Sequence, residues 1–133
     1  MTRINTIPVI SLCDSHVLAE IREITRIPNT IRSGRAIIKD IPPKFTLGKG
    51  HVKFFYNKVG YIERRYNELV IECRNRGFDV EDKSSSFKDI PKHLMNDWHP
   101  TPESIQLIQD RISERLSGMK YVKFYGKEVA TAE

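Results

Sequence analysis

The sequence predicts an all-α fold, a single compact domain of three helices joined by long irregular loops, with the N-terminal segment packed near the helices. Three observations predict it. Apolar residues recur at spacings of three and four in three separate stretches, the pattern of a helix with one buried face. Thr101-Pro102-Glu103 is a strong helix start. The chain has 133 residues, which suits one domain spanning residues 1–133 rather than two.

The first helix is expected from about Ser11, with Asp14 three residues on as a weak capping pattern. At about 100° per residue, Cys13, Val17, Ile21 and Ile24 share one face, the core stripe. His16, Glu20 and Glu23 share another face, flanked by Ser15, Arg22 and Arg26. Pro28 is expected to stop or kink this helix. Residues 29–50 carry Gly34, Pro42, Pro43, Gly48 and Gly50 and read as a loop, punctuated by Arg32, Arg35, Lys39 and Lys44. The second helix is expected over about Asn57 to Arg76, with Tyr61, Ile62, Tyr66, Leu69, Val70 and Cys73 on its apolar side and Gly77 just past its end. Residues 78–100 form a second long loop containing Trp98. The third helix runs from Thr101 to Gly118 with Ile105, Ile108, Ile112 and Leu116 inward. A tail mixing aromatics with lysines follows. Loops this long are usually functional or disordered, and aromatics among basic residues favour function.

Lys and Arg number 22 against 17 Asp and Glu, a formal net charge of +5. A small basic domain suits an anionic partner, of which nucleic acid is the commonest. Cys13 and Cys73 sit inside apolar patterns and read as buried thiols of a reducing compartment. No signal-peptide pattern and no apolar run of membrane-spanning length occurs, so the chain is expected neither to be secreted nor to meet a membrane.

Most catalytic signatures are missing. GKGH at 48–51 lacks the strand–loop–helix setting and Lys-Ser/Thr of a phosphate loop. His16, His51, His93 and His99 are scattered, without metal-ligand spacing. No nucleophile-elbow motif occurs. What remains is the chain's own amino group. Its ordinary pKa of about 7.7–8.0 leaves a sizeable fraction unprotonated near pH 7, and neighbouring cations push it lower. Arg3, Arg22 and Arg26 are such cations. Thr2 is small enough for removal of Met1 to be expected, which would free a nucleophilic amine.

Five stretches then carry a resemblance: MTRIN at the start, the segment His16-x-x-x-Glu20-x-Arg22-Glu23-x-x-Arg26, LGKGHVKFFYNK at 47–58, ECRNRGF at 72–78 and KFYGK at 123–127. Together the chain resembles the pyrimidine-dimer DNA glycosylase and abasic-site lyase family, the phage-type endonuclease V that repairs ultraviolet damage. The resemblance implies an all-α fold, double-stranded DNA containing pyrimidine dimers as partner, a monomer, and no metal or organic cofactor. It implies residence wherever the DNA lies, such as the cytoplasm of a bacterial host.

The resemblance also implies roles. Thr2, once Met1 is lost, would supply the α-amino nucleophile, and Glu23 the essential carboxylate. Arg3, Arg22 and Arg26 match positions lining the DNA face, as do Arg111 and Arg115 on the third helix, whose bland alternative is a solvated helix face. His16 matches the site. Glu20 either joins it or simply partners a nearby arginine. The aromatic, lysine-rich tail, here Tyr121, Lys123, Phe124, Tyr125 and Lys127, is associated with recognising the damaged site. Aromatics such as Tyr121, Phe124 and Tyr125 are more often core or packing residues than base contacts, and Tyr121 stands where a tryptophan is expected. A different class, a non-catalytic basic DNA-binding module, would use the same basic face without chemistry.

Overall fold

The structure of the chain, a computed structural model, describes residues 2–119 and 121–129. Among them lie four helices, a single helical turn, several 3-10 turns and a two-stranded hairpin. In chain order these are α1 (Asp14–Glu23), α2 (Arg26–Arg32), the turn α3 (His51–Phe54), α4 (Val59–Asn75) and α5 (Pro102–Ser117), then β1 (Val122–Phe124) and β2 (Lys127–Val129). The expectation of an all-α fold with three helices is therefore corrected at two places, α2 and the C-terminal hairpin.

The α2 correction has a local cause. Pro28 does not terminate α1, which already ends at Glu23. It is instead the third residue of α2, where a backbone N–H would have no intrahelical acceptor. Helical structure thus runs on to Arg32, and the loop expected over residues 29–50 loses its first residues to α2. The start of α1 also differs. Val9–Ser11 forms a 3-10 turn, and α1 begins at Asp14 behind Cys13, which makes no side-chain capping bond.

The other helix ends follow the sequence closely. At the end of α4, Gly77 has φ of 84°, Gly77 N–H donates to the Arg74 carbonyl at 3.0 Å and Phe78 N–H to the Cys73 carbonyl at 2.9 Å. These are the two bonds of a Schellman motif, and the left-handed residue between them favours glycine. At the start of α5, Thr101 and Ser104 cap each other reciprocally, with Pro102 in the first turn. Gly60, in the first turn of α4, lies against residues 95–96. A Cβ there would stand 2.7 Å from the Met95 carbonyl oxygen.

The core joins Val17, Ile21 and Ile24 of α1, Ile27 of α2, Ile62, Tyr66 and Leu69 of α4 and Ile108 of α5. The aromatics of the long loops are spent in packing. Trp98 stacks on Phe45 at 5.9 Å and meets Phe54, Phe55 and Tyr61 edge to face. Cys13 and Cys73 are free and buried. No helix among the described residues is long and apolar enough to cross a membrane.

The N-terminal segment is not frayed. Thr2, Ile4, Asn5 and Thr6 are all buried. Ile4 N–H donates to His51 Nε2 at 2.9 Å, and Asn5 N–H to Glu20 Oε1 at 3.1 Å. The start of the chain is therefore threaded between α1 and α3 and tied at consecutive residues.

Candidate active site

α1 presents one face to a cleft opposite α5. His16, Ala19, Glu20 and Glu23 line it from α1, Arg3 and Asn5 from the N-terminal segment, and Arg111, Ile112 and Arg115 from α5. The three-and-four spacing of His16, Glu20 and Glu23 is what puts them on one wall. Arg111 and Arg115, four apart on α5, face them for the same reason.

The two carboxylates have different surroundings. Glu20 is 1 % exposed. Its Oε1 accepts from Asn5 Nδ2 at 3.0 Å and from Arg65 Nη2 at 3.1 Å, and its Oε2 from Arg65 Nε at 2.5 Å. Arg65 also donates to the Ile7 carbonyl at 2.6 Å. This buried bidentate pair fixes the N-terminal segment, α1 and α4 to one another. Glu20 thus sits as the partner of an arginine, at the floor of the cleft. Glu23, the last residue of α1, is half-buried on the cleft wall, where its charge supports the charged form of Arg3.

Arg3 is the centre of the basic wall. Burial lowers its pKa, the nearby Arg111 and Arg115 lower it further, and Glu23 opposes them. Three guanidinium groups thus converge on one cleft, an arrangement that favours an entering anion. Arg111 also approaches Glu114 at 3.7 Å on the exposed side of α5.

Other residues expected at the site lie elsewhere. Thr2 borders a separate hollow with Arg26, Asn29, Thr30, Ser33, Arg35 and Val52. Its neighbour Arg3 lines the cleft, and Thr2 does not. Met1 lies outside the described residues, and with Met1 attached the Thr2 nitrogen is an amide. Arg22 points away from the cleft, its Nε donating to the Leu18 carbonyl at 3.1 Å. In the tail, Tyr121, Lys123, Tyr125 and Lys127 are exposed and Phe124 is half-buried. All but Tyr121 belong to the hairpin or its turn. Among the described residues no group of three or more His, Cys, Asp or Glu is placed to hold a metal ion.

Sequence reasoning gave no role to His51, Arg65 or Asn5. Their partners stand 47, 45 and 15 residues away, and no local pattern announces such pairs. His51 matters for the site because it holds the backbone that carries Thr2 and Arg3. Its Nδ1 lies 2.9 Å from the Thr46 carbonyl, so that nitrogen carries the proton and Nε2 accepts from Ile4. Burial pushes its pKa down to about 4; the Thr46 contact opposes this and Arg3 adds to it.

A pH dependence of stability follows. The unfolded imidazole titrates at about 6.5, so below that pH the unfolded state binds a proton that the folded state refuses. The contribution of neutral His51 is complete above about pH 6.5 and is lost as pH falls toward about 4. The full span amounts to about 3 kcal/mol. Urea midpoints measured between pH 7 and 4 should fall steeply in the wild type and less steeply in His51→Gln.

The cleft gathers three arginines, a histidine and two carboxylates of unlike environment, the class of basic site that suits an anionic substrate. The chain matches the pyrimidine dimer DNA glycosylase family over residues 1–86 and belongs to that family. DNA is accordingly its substrate, and glycosylase action on pyrimidine dimers its activity. The matched stretch contains Thr2, Arg3, His16, Glu20, Arg22, Glu23 and Arg26, whereas α5 and the hairpin lie beyond it.

Proposed function

We propose that the protein excises the 5′ base of a cyclobutane pyrimidine dimer through an imine to its own N-terminal amine and then cleaves the strand. After loss of Met1, the Thr2 nitrogen attacks the sugar carbon that bears the base. The glycosidic bond breaks, its electron pair leaves with the base, and the nitrogen gives up a proton as the sugar opens to an iminium. Glu23 stabilises the positive charge on sugar and imine and assists removal of the adjacent C2′ proton. Elimination of the 3′ phosphate follows, making the enzyme a lyase as well as a glycosylase. The observation that carries this reading is the contrast at the cleft. Glu23 stands on its wall beside Arg3, while both oxygens of Glu20 are already engaged.

On this reading Arg3, His16, Arg111 and Arg115 meet DNA at the cleft, Arg26 meets it beside Thr2, Arg22 meets the duplex outside the cleft, and the hairpin with Tyr121, Lys123, Phe124, Tyr125 and Lys127 meets it as well. Glu20 acts through the segment it holds. The test is a defined duplex with one dimer. The protein should release the 5′ base linkage and leave a strand ending in an unsaturated aldehyde, while an undamaged duplex stays intact. A basic binding module would retard both duplexes and cut neither.

Salt reads the arginines of α5 separately. Each phosphate contact removed lowers the slope of log affinity against log salt by about 0.9. The Arg111→Ala/Arg115→Ala double variant should flatten that slope by roughly 1.8 and weaken damaged and undamaged duplex alike, because phosphate contacts position without specifying. An unchanged slope in filter-binding titrations would place α5 away from DNA.

A further inference from the structure

We propose that Asp14 is a positioning residue for DNA recognition. With Arg76 and Glu72 it clamps the Tyr125–Gly126 turn onto the start of α1, so that the C-terminal hairpin meets DNA as a fixed arm. The inference rests on the reading above that the hairpin faces DNA.

The geometry is a closed set of bonds. Asp14 Oδ1 accepts from Tyr125 N–H at 2.9 Å, and Oδ2 accepts from Gly126 N–H at 2.8 Å. Arg76 Nη1 pairs with Asp14 Oδ1 at 3.0 Å and its Nε with Glu72 Oε2 at 2.7 Å. The Tyr125 hydroxyl donates to Glu72 Oε2 at 2.5 Å, and its ring covers the Arg76 guanidinium at 4.6 Å. One cation thus stands between two carboxylates. The surplus negative charge is met by three donors of a single turn: two peptide N–H groups and a phenol.

The hairpin needs such support. Its strands have three residues each, and a lone two-stranded hairpin is marginal in water. Val122 is its one buried residue among those described. Tyr125 and Gly126 have φ of 54° and 79°, the pair of positive values that a tight hairpin turn requires and that a tyrosine seldom adopts. The Asp14 bonds hold that conformation. Asp14 lies two residues before His16, so the clamp sets the arm at the His16 end of the cleft, with Glu23 at the other end of α1. The clamp residues Asp14, Glu72 and Arg76 all lie within the family-matched stretch, while the arm lies outside it.

The test uses the full chain with Asp14→Asn, whose NH2 group would face one of the two turn N–H donors. Three quantities are read: amide hydrogen exchange at Tyr125 and Gly126, Kd for a dimer-containing duplex, and the single-turnover cleavage rate at saturating protein. Exchange should speed up and Kd should rise, each by roughly tenfold, with the saturated rate within about twofold of wild type. Should Asp14→Asn fail to fold, Gly126→Ala replaces it. Its Cβ meets nothing within 4 Å but is strained at that φ, so the same pattern should appear at smaller size. Faster exchange with unchanged Kd overturns the positioning role, and unchanged exchange overturns the clamp. A fall in the saturated rate with Kd unchanged likewise overturns the positioning role, since the arm would then act on chemistry and not on binding. A wild type that binds the dimer duplex but cuts nothing would defeat the proposed chemistry, leaving the exchange and Kd comparison to decide the clamp.

Discussion

Glu23→Gln should reduce both base release and strand cleavage by several orders of magnitude while leaving the fold intact. The substitution keeps the shape of the side chain and removes its charge. The cationic sugar and imine lose their electrostatic partner, an effect of about 10²–10³, and the elimination loses its base, an effect of about 10²–10⁴. The residue is half-buried at the end of α1, off the Val17–Ile21–Ile24 stripe, so thermal unfolding should change little. Affinity for dimer-containing DNA should persist or tighten, because a negative charge beside Arg3 is gone. Glu20→Gln should behave in the opposite way. Its loss leaves the buried guanidinium of Arg65 without its counter-charge, which costs about 3–5 kcal/mol. A drop in unfolding temperature with moderate residual activity marks Glu20 as the positioning carboxylate. Near wild-type cleavage by Glu23→Gln, with a stable but inactive Glu20→Gln, would exchange the two assignments.

Blocking the N-terminal amine should abolish both steps. Acetylation of Thr2, or retention of Met1 verified by mass measurement, turns the Thr2 nitrogen into an amide and removes its nucleophilic lone pair. Thr2→Ala should retain most activity, since the backbone nitrogen and not the hydroxyl is the proposed reactant. Its side chain lies in the hollow with Arg26 and Val52, where an alanine fits. Full cleavage by protein that keeps Met1 would remove the amine from the mechanism.

How far the sequence foretold this molecule depended on distance along the chain. α5 and the end of α4 were legible because Thr101-Pro102-Glu103 and Gly77 are local signals, fixed by the backbone needs of one helix end. The cleft wall was legible too, since His16, Glu20 and Glu23 share a helical face by spacing alone. α2 was hidden by Pro28, which reads as a breaker yet is harmless in a first turn. The hairpin was hidden because Tyr125-Gly126 is not a usual tight-turn pair. Its positive φ at tyrosine is held by Asp14, 111 residues earlier. Asp14 itself read as a helix cap, whereas its carboxylate is engaged with the turn and Arg76. The tie from His51 to Ile4 and the pair of Glu20 with Arg65 are likewise long-range, so the means by which the chain start is held was invisible in one dimension.

The central claim is that the chain's own first amine forms a covalent bond to the damaged sugar. The direct measurement is to incubate the protein, with Met1 removed, with a dimer-containing duplex and borohydride, and then to locate the linked peptide by mass spectrometry. The account predicts a reduced adduct between sugar and protein on the Thr2 α-nitrogen, absent with undamaged duplex and absent after N-terminal acetylation. An adduct on a lysine, or strand cleavage with no trapped adduct at all, would contradict it.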